Sequence, residues 1–237
     1  MIAFSGRGVL LDIEGTTTSI DFVYKALFPY ARRELEPFLR AHGQEAEVRA
    51  ACAKIALEAG FGPEAPGQGQ LVAEVVRLMD QDAKTTGLKE LQGLIWRVGY
   101  ASSALRAHVF SDVPPCLSRF RRAGLDVRIY SSGSALAQKL LFSHTEHGDL
   151  TGLLSGYYDT TVGPKRHAES YRAIAADMEC PTGEVLFLSD VPAELDAARA
   201  AGMQTALVCR PGNAPVPSTP SHAAVSDFFE IEVSPRA

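Results

Sequence analysis

Asp12 and Glu14 end an apolar run, Val9-Leu10-Leu11-Asp12-Ile13, that Gly15 and three threonines bring to a stop. A carboxylate at the end of such a run cannot stay buried as a lone anion; it needs a cation or strong donors. Further along the chain lie Ser131-Ser132-Gly133-Ser134, Lys165 and Ser189-Asp190. Brought to one place, Asp12 and Asp190 can hold a hard divalent ion through oxygen, with water and substrate completing an octahedron, which is the habit of Mg²⁺. A phosphate arriving there meets like charge, a repulsion of about 4 kcal/mol per unit pair at ~4 Å and an effective dielectric of 20. The cation and Lys165 would offset it. A carboxylate could then attack phosphorus in line and form an aspartyl-phosphate. Glu14 would be free to pass a proton to the leaving oxygen and later to take one from water. Ser131 and the backbone amides around Ser132-Gly133-Ser134, just ahead of a helix start, suit phosphoryl oxygens.

These residues can meet only if the elements that carry them are wound correctly. The run at residues 9–13 reads as a buried parallel strand. A helical stretch follows, in which Phe22, Val23, Ala26, Leu27, Leu35, Phe38 and Leu39 recur at three- and four-residue intervals, with interruptions expected at Pro29 and Pro37. Amphipathic helices are expected at residues 45–59, 70–84 and 87–100, with a Gly/Pro-rich linker from Gly60-Phe61-Gly62-Pro63 to Pro66-Gly67-Gln68-Gly69. Beyond Asp112 the rhythm changes. Helices at 116–123, 135–142, 168–178 and 193–201 alternate with strands at 126–130, 156–159, 185–188 and 204–209, and 211–221 reads as loop. Alternation of this kind implies parallel pairing with right-handed crossovers. The expected fold is α/β, a doubly wound, Rossmann-like parallel sheet with an inserted all-helical subdomain. Residues 1–18 and 104–237 would form the core and 19–103 the insert. In such a sheet ligands bind beyond the carboxyl ends of the strands, where Asp12, Glu14, Ser131, Ser132, Ser189 and Asp190 are expected, with Lys165 in the turn before a helix.

Composition narrows the field. The chain has 237 residues, 46% hydrophobic and 22% charged, with 23 basic against 28 acidic side chains and a net charge of −5. That balance argues against nucleic acid or an acidic membrane as partner. No apolar stretch approaches the ~18 residues of a membrane span, and the first residues carry no pattern of a secretory leader. Cys52, Cys116, Cys180 and Cys209 form no C-x-x-C pair and suit a reducing cytoplasm. His144 and His147 lack companions for a metal site, and Gly163-Pro164-Lys165 lacks P-loop spacing. Single features remain ambiguous by themselves: Ser132 or Ser134 can be a helix cap, Lys165 a solvated lysine, and Glu194 a helix-dipole partner or a neighbour of the site.

In order, Asp12-Ile13-Glu14-Gly15-Thr16, Ser131, Lys165 and Ser189-Asp190 resemble the four motifs of the haloacid dehalogenase-like superfamily of phosphotransferases, with Glu14 where the general pattern has Asp. Within it the chain is similar to the enolase-phosphatase family of methionine salvage. That likeness is carried by Asp12 to Thr18, by Gln92-Gly93-Leu94-Ile95-Trp96-Arg97-Val98-Gly99-Tyr100, by Ile129 to Phe142, by Phe187 to Val191 and by Arg210-Pro211-Gly212-Asn213. The resemblance implies a monomeric, cytoplasmic, Mg²⁺-dependent enzyme that enolises 2,3-diketo-5-methylthiopentyl-1-phosphate and then removes the phosphate to leave the acireductone. It implies Asp12 as nucleophile and metal ligand, Glu14 as metal ligand, through its carbonyl or side chain, and as acid/base, and Asp190 as the remaining ligand. Ser131, Ser132 and Lys165 would bind substrate, and the helical insert would be a cap. Ser19 and Asp21 depart from the Pro and Ser expected there, and Pro164 from a common His. Trp96 and Tyr100, four apart on one helix, read as cap core or as contacts to the methylthio end. Two other readings stand beside this one: an Mg²⁺-dependent phosphatase of another small phosphorylated metabolite, and a catalytically silent relative that binds a partner through its cap.

Overall fold

Val9, Leu10 and Leu11 are completely buried, and burying each such side chain contributes roughly 1.5–3 kcal/mol. They form most of a central strand that cannot slip without exposing them. In the computed structural model, which describes residues 1–61, 66–215 and 221–234, the chain divides into two compact units, residues 1–23 with 106–237 and residues 24–105.

The first unit is the α/β unit. Its strands are β1 (Ile2–Phe4), β2 (Gly8–Leu11), β3 (Asp126–Tyr130), β4 (Gly156–Tyr158), β5 (Val185–Ser189), β6 (Gln204–Val208), β7 (Ala223–Val225) and β8 (Ile231–Val233). Six of them form one sheet in the order β4-β3-β2-β5-β6-β7, with every pair parallel. The chain winds outward from β2 through β3 to β4, then crosses to the other side for β5, β6 and β7. The reversal lies at β2 and β5, so the residues after Leu11 and at Ser189 occupy the switch-point edge. Register holds them level, since Leu11 pairs with Leu188 and with Ile129. Leu10, Tyr130, Phe187 and Leu207 pack with Tyr171, Ile174, Leu195 and Ala198, which come from helices α8 (Ala168–Asp177) and α9 (Pro192–Ala200). Helix α6 (Val113–Arg122) packs on β3, and α7 (Ala135–Ser143) lies beside β4. This is the doubly wound parallel sheet expected.

The second unit is helical. The chain enters it from a short helix, α1 (Ile20–Phe22), through one π-helical turn at Val23–Leu27. It holds α2 (Phe28–His42), α3 (Ala46–Glu58), α4 (Gln68–Asp80) and α5 (Thr86–Ala101). Trp96 and Tyr100 are buried within it; the indole donates to the Leu27 carbonyl at 3.0 Å and stacks on Phe28. Among the described residues no helix is long and apolar enough to cross a membrane.

Several expected boundaries move. The interruption expected at Pro37 does not occur: α2 runs through it. At Pro29 the regular ladder does change: the π-helical turn Val23–Leu27 ends just before it and α2 continues. Helix α6 begins at Val113, ahead of Pro114 and Pro115, instead of at residue 116, because prolines in a free first turn remove no helical bond. Strands β1, β7 and β8 were not expected; each has three residues, too few to show alternation. Gly62 and Pro63 of the expected linker, and residues 216–220 of the expected loop, lie outside the described residues. The four cysteines are free, Cys116 and Cys180 buried and Cys52 and Cys209 half-buried.

One buried ion pair ties the far loops of the α/β unit to the switch-point edge. Arg210 Nη1 and Nη2 donate to Asp112 Oδ1 and Oδ2 at 2.9 and 2.8 Å, Nε donates to the Thr16 carbonyl at 3.1 Å, and Nη1 also donates to the Ser226 carbonyl at 3.2 Å. The guanidinium lies between the rings of Phe110 and Phe228. Because Asp112 is enclosed, Arg210→Met is expected to lower the urea-unfolding stability by about 3–5 kcal/mol, with Asp112→Leu added to it recovering part of the loss. A loss under about 1 kcal/mol, the scale of a solvated pair, would contradict the clamp.

Candidate active site

The polypeptide reverses just after β2. Thr16, Thr17 and Thr18 all direct their backbone N–H groups to the Ile13 carbonyl, at 3.1, 2.9 and 3.0 Å. Gly15 makes the bend possible, with φ +69°, a conformation in which a side chain is strained. Asp12, 2% exposed, is thereby left on the edge with its carboxylate fully engaged. Oδ1 accepts the Ile13 N–H at 2.7 Å and meets Lys165 Nζ at 2.7 Å, and Oδ2 accepts the Ser189 hydroxyl at 3.0 Å. Lys165 reaches Glu194 Oε2 as well, also at 2.7 Å, while the hydroxyl hydrogen of Ser189 has Glu194 Oε2 as a second acceptor within reach at 3.1 Å.

Lys165 is held from behind. The hydroxyls of Tyr130, Ser170 and Tyr171 donate to the carbonyls of Gly163, Pro164 and Lys165 at 2.8, 2.8 and 2.6 Å. Three successive carbonyls are thus fixed by three side chains from β3 and α8, which sets the direction of the lysine.

Across the same edge, the Ser131 hydroxyl donates to Glu14 Oε2 at 3.3 Å and accepts the Gly133 N–H at 3.2 Å. Ser134, not Ser132, caps α7, accepting the Ala137 N–H at 3.3 Å. Gln138 fixes the loop by donating to the Gly133 and Tyr158 carbonyls, both at 2.8 Å. Ser132 lies half-buried in that loop. Asp190 approaches from the end of β5: a Cβ on Gly15 would lie 2.6 Å from its Cγ and 3.0 Å from Asn213 Oδ1. With no side chain on Gly15, the Asp190 carboxylate and the Asn213 amide oxygen can both pack closely against the turn.

Charge is crowded here. Burial, and after it the negative charge of Asp12, raises the Asp190 carboxyl to about 7, against the pull of Lys165. The same two causes raise Glu194 to about 7, and they raise Glu14. Burial works against the charge on Lys165, but Asp12 and Glu194 outweigh it and the net shift is upward. Four carboxylates thus share one ammonium, a deficit of positive charge that a cation would relieve.

Among the described residues no three His, Cys, Asp or Glu side chains form a ready-made cluster of metal ligands. The donors on offer are different: the carboxylates of Asp12 and Asp190, the Glu14 carbonyl in the turn, and a buried Asn213 Oδ1 with no hydrogen-bond partner among the described residues. An all-oxygen set with one or two carboxylates and room for water fits a small hard divalent cation. Sulfur or imidazole ligands, which would favour zinc, are missing from this set.

Of the residues singled out in the sequence, Asp12, Lys165 and Ser189 meet directly, Glu14 meets Ser131, and Asp190 lies against Gly15. Glu194 proves to be a partner of Lys165. Tyr130, Ser170, Tyr171, Gln138 and Asn213 had been given no role. Their contacts are to carbonyls in other segments, which no spacing along the chain reveals, although Arg210-Pro211-Gly212-Asn213 does follow an apolar strand onto the same edge. Replacing the shared ammonium, Lys165→Met, is expected to lower stability in a chelator-containing buffer by about 3–5 kcal/mol, because two buried carboxylates lose their counter-charge. Unfolding curves matching the parent protein would contradict the charge balance described.

The family model of the haloacid dehalogenase-like hydrolases matches residues 7–202. Enolase-phosphatase E1 of Sorangium cellulosum is 50% identical over 97% of this chain and 98% of its own. Enolase-phosphatase E1 of Synechococcus elongatus is 50% identical over 88% of this chain and 90% of its own. The crystal structure of the UTR4 protein of Saccharomyces cerevisiae is similar with a TM-score of 0.81 at 36% identity, covering 94% of this chain and 98% of that one. A fold, a motif order and relatives of this closeness agree: the chain belongs to the haloacid dehalogenase-like hydrolases and, within them, to the enolase-phosphatase family.

Proposed function

We propose that this protein converts 2,3-diketo-5-methylthiopentyl-1-phosphate, in the methionine salvage pathway, first to its enol phosphate and then to the acireductone and inorganic phosphate. The observation that carries the phosphatase half is the Asp12 carboxylate, fixed by the Ile13 N–H, the Ser189 hydroxyl and Lys165 on the switch-point edge. The enolase half rests on identity to the relatives of that name.

In the second step Asp12 attacks phosphorus, the bond between phosphorus and the ester oxygen breaks, and that oxygen leaves on its carbon and takes a proton. Water then attacks the aspartyl-phosphate, returning Asp12 and releasing phosphate. Glu14 is assigned the acid and then the base. It lies two residues beyond Asp12 and touches Ser131, so it can face the ester while Asp12 faces phosphorus. Lys165 is assigned to the phosphoryl charge, for which its two carboxylate contacts hold it in place. Ser131 and Ser132 are assigned to the other phosphoryl oxygens, on a loop stiffened by Gln138. In the first step a proton leaves the carbon that carries the ester and a proton is added to the neighbouring carbonyl oxygen; Glu14 is the assigned base.

Asp12, Asp190 and Glu14, through its carbonyl, would hold Mg²⁺, which when bound would neutralise phosphoryl charge and polarise the substrate carbonyl. The helical unit takes the role of the cap. Cytoplasmic location and a monomeric state are assigned on the resemblance to the family, and the net charge of −5 argues against nucleic acid or an acidic membrane as partner.

Incubation with the synthetic diketone phosphate and Mg²⁺ is expected to give a rise in enol absorbance, followed by release of phosphate. Phosphate release from other small esters but not from this one would replace the substrate assignment. Release from none, with the cation bound, would favour a silent binding protein. Asp12→Asn is expected to fold normally by circular dichroism and to release phosphate at least about 10³-fold more slowly. Turnover near the parent rate would remove Asp12 as nucleophile.

A further inference from the structure

Asn213 closes a turn built for it. Pro211 and Gly212, the latter at φ +90°, form the two central residues of a type II turn in which the Asn213 N–H returns to the Arg210 carbonyl at 3.1 Å. Arg210, at the other end of the turn, is the buried clamp to Asp112 and to the Thr16 carbonyl. The turn is therefore anchored to the same segment that carries Gly15.

The orientation of the Asn213 amide is determined by its partners. Nδ2 donates to the Gly15 carbonyl at 2.8 Å and the Val208 carbonyl at 3.2 Å. Rotating the amide by half a turn would press its oxygen against two carbonyl oxygens, so the nitrogen belongs where it is. Oδ1 is then turned toward the Asp190 side of Gly15, buried and without a hydrogen-bond partner among the described residues. The Asp190 carboxylate packs against the same glycine. Two acceptor oxygens of different side chains thus meet at one bare stretch of backbone. A buried acceptor of this kind normally has a donor, and a cation-bound water is a donor of the right size.

The geometry points to Asn213 as a positioning residue of the cation site: its Oδ1 accepts a hydrogen bond from a water bound to the divalent ion that Asp12 and Asp190 hold. This inference rests on the assignment of those two carboxylates as ligands. Outer contacts of this kind orient the inner ones and commonly change metal affinity by about 10–100-fold when removed. They also fix where bound water stands relative to the phosphorus.

The test is Mn²⁺ binding to the otherwise intact protein without substrate, followed by electron paramagnetic resonance of the free ion, with thermal unfolding in chelator as a measure of structure. Asn213→Ala removes the acceptor and both donors, whereas Asn213→Asp keeps an acceptor and loses the donors. Asn213→Ala is expected to weaken Mn²⁺ binding by about 10-fold or more, and Asn213→Asp to bind at least as tightly as the parent, since it keeps an acceptor and adds charge, while both unfold in chelator below the parent because the Gly15 and Val208 carbonyls lose their donor. Binding by Asn213→Ala within about twofold of the parent would overturn the inference. So would an equal loss in both variants, since the donors alone would then matter. Asp190→Asn separates the two levels of the argument: if it binds Mn²⁺ as the parent does, or if the parent binds none, the ligand assignment itself fails.

Discussion

Four carboxylates, Asp12, Glu14, Asp190 and Glu194, are collected around a single ammonium on one edge of a sheet, and most of the surrounding structure serves to hold them there. Burial first, and the negative charge of Asp12 after it, raise the carboxyls of Asp190, Glu194 and Glu14, so that alone such a cluster would take up protons. Lys165 compensates only part of its negative charge, through contacts of 2.7 Å to Asp12 and to Glu194. The uncompensated remainder suits a cation. The cluster is thus stable enough to fold around one fixed positive charge, yet keeps affinity for a second that arrives from solution.

Holding the cluster requires rigidity in four segments that are distant in sequence. The first is anchored by fully buried Val9–Leu11 and by the turn around the Ile13 carbonyl. The lysine turn is gripped by three hydroxyls, the Ser131 loop by Gln138, and the Arg210–Asn213 turn by a buried ion pair between two aromatic rings. Three of the four anchors set side-chain donors on backbone carbonyls, away from the ligand side. The groups left facing the edge are the ones with chemistry to do, which is the arrangement a preorganised site needs.

Much of this arrangement is legible in the amino-acid sequence. Strands β2, β3 and β5 show as apolar or β-branched runs followed by helices with clear punctuation, β6 as such a run followed by loop, and their parallel pairing follows from the alternation. Asp12, Glu14, Ser131, Lys165 and Asp190 draw attention because polar groups at the ends of buried strands need a reason. What the chain does not display is lateral contact. Glu194 could be read as a helix-dipole charge, since its distance to Lys165 depends on how α9 packs beside β5. Tyr130 and Tyr171 look like core aromatics, and they are buried, but each also carries a hydroxyl that fixes a carbonyl. Pro37 looked like an interruption because the rule against proline in helix interiors is statistical; packing of the remaining apolar residues of α2 overrides it. The three-residue strands β1, β7 and β8 are too short for periodicity to speak.

Asp12 is the residue on which the account turns, and its role can be read from the covalent state of the protein itself. Rapid mixing with the diketone phosphate and Mg²⁺, a quench in acid, and borohydride reduction followed by peptide mass analysis would capture an acyl phosphate as a reduced side chain. The account predicts that reduction at residue 12 and nowhere else, with the captured fraction falling as the substrate is exhausted. Phosphate released at the normal rate while residue 12 stays unmodified at every quench time would contradict it.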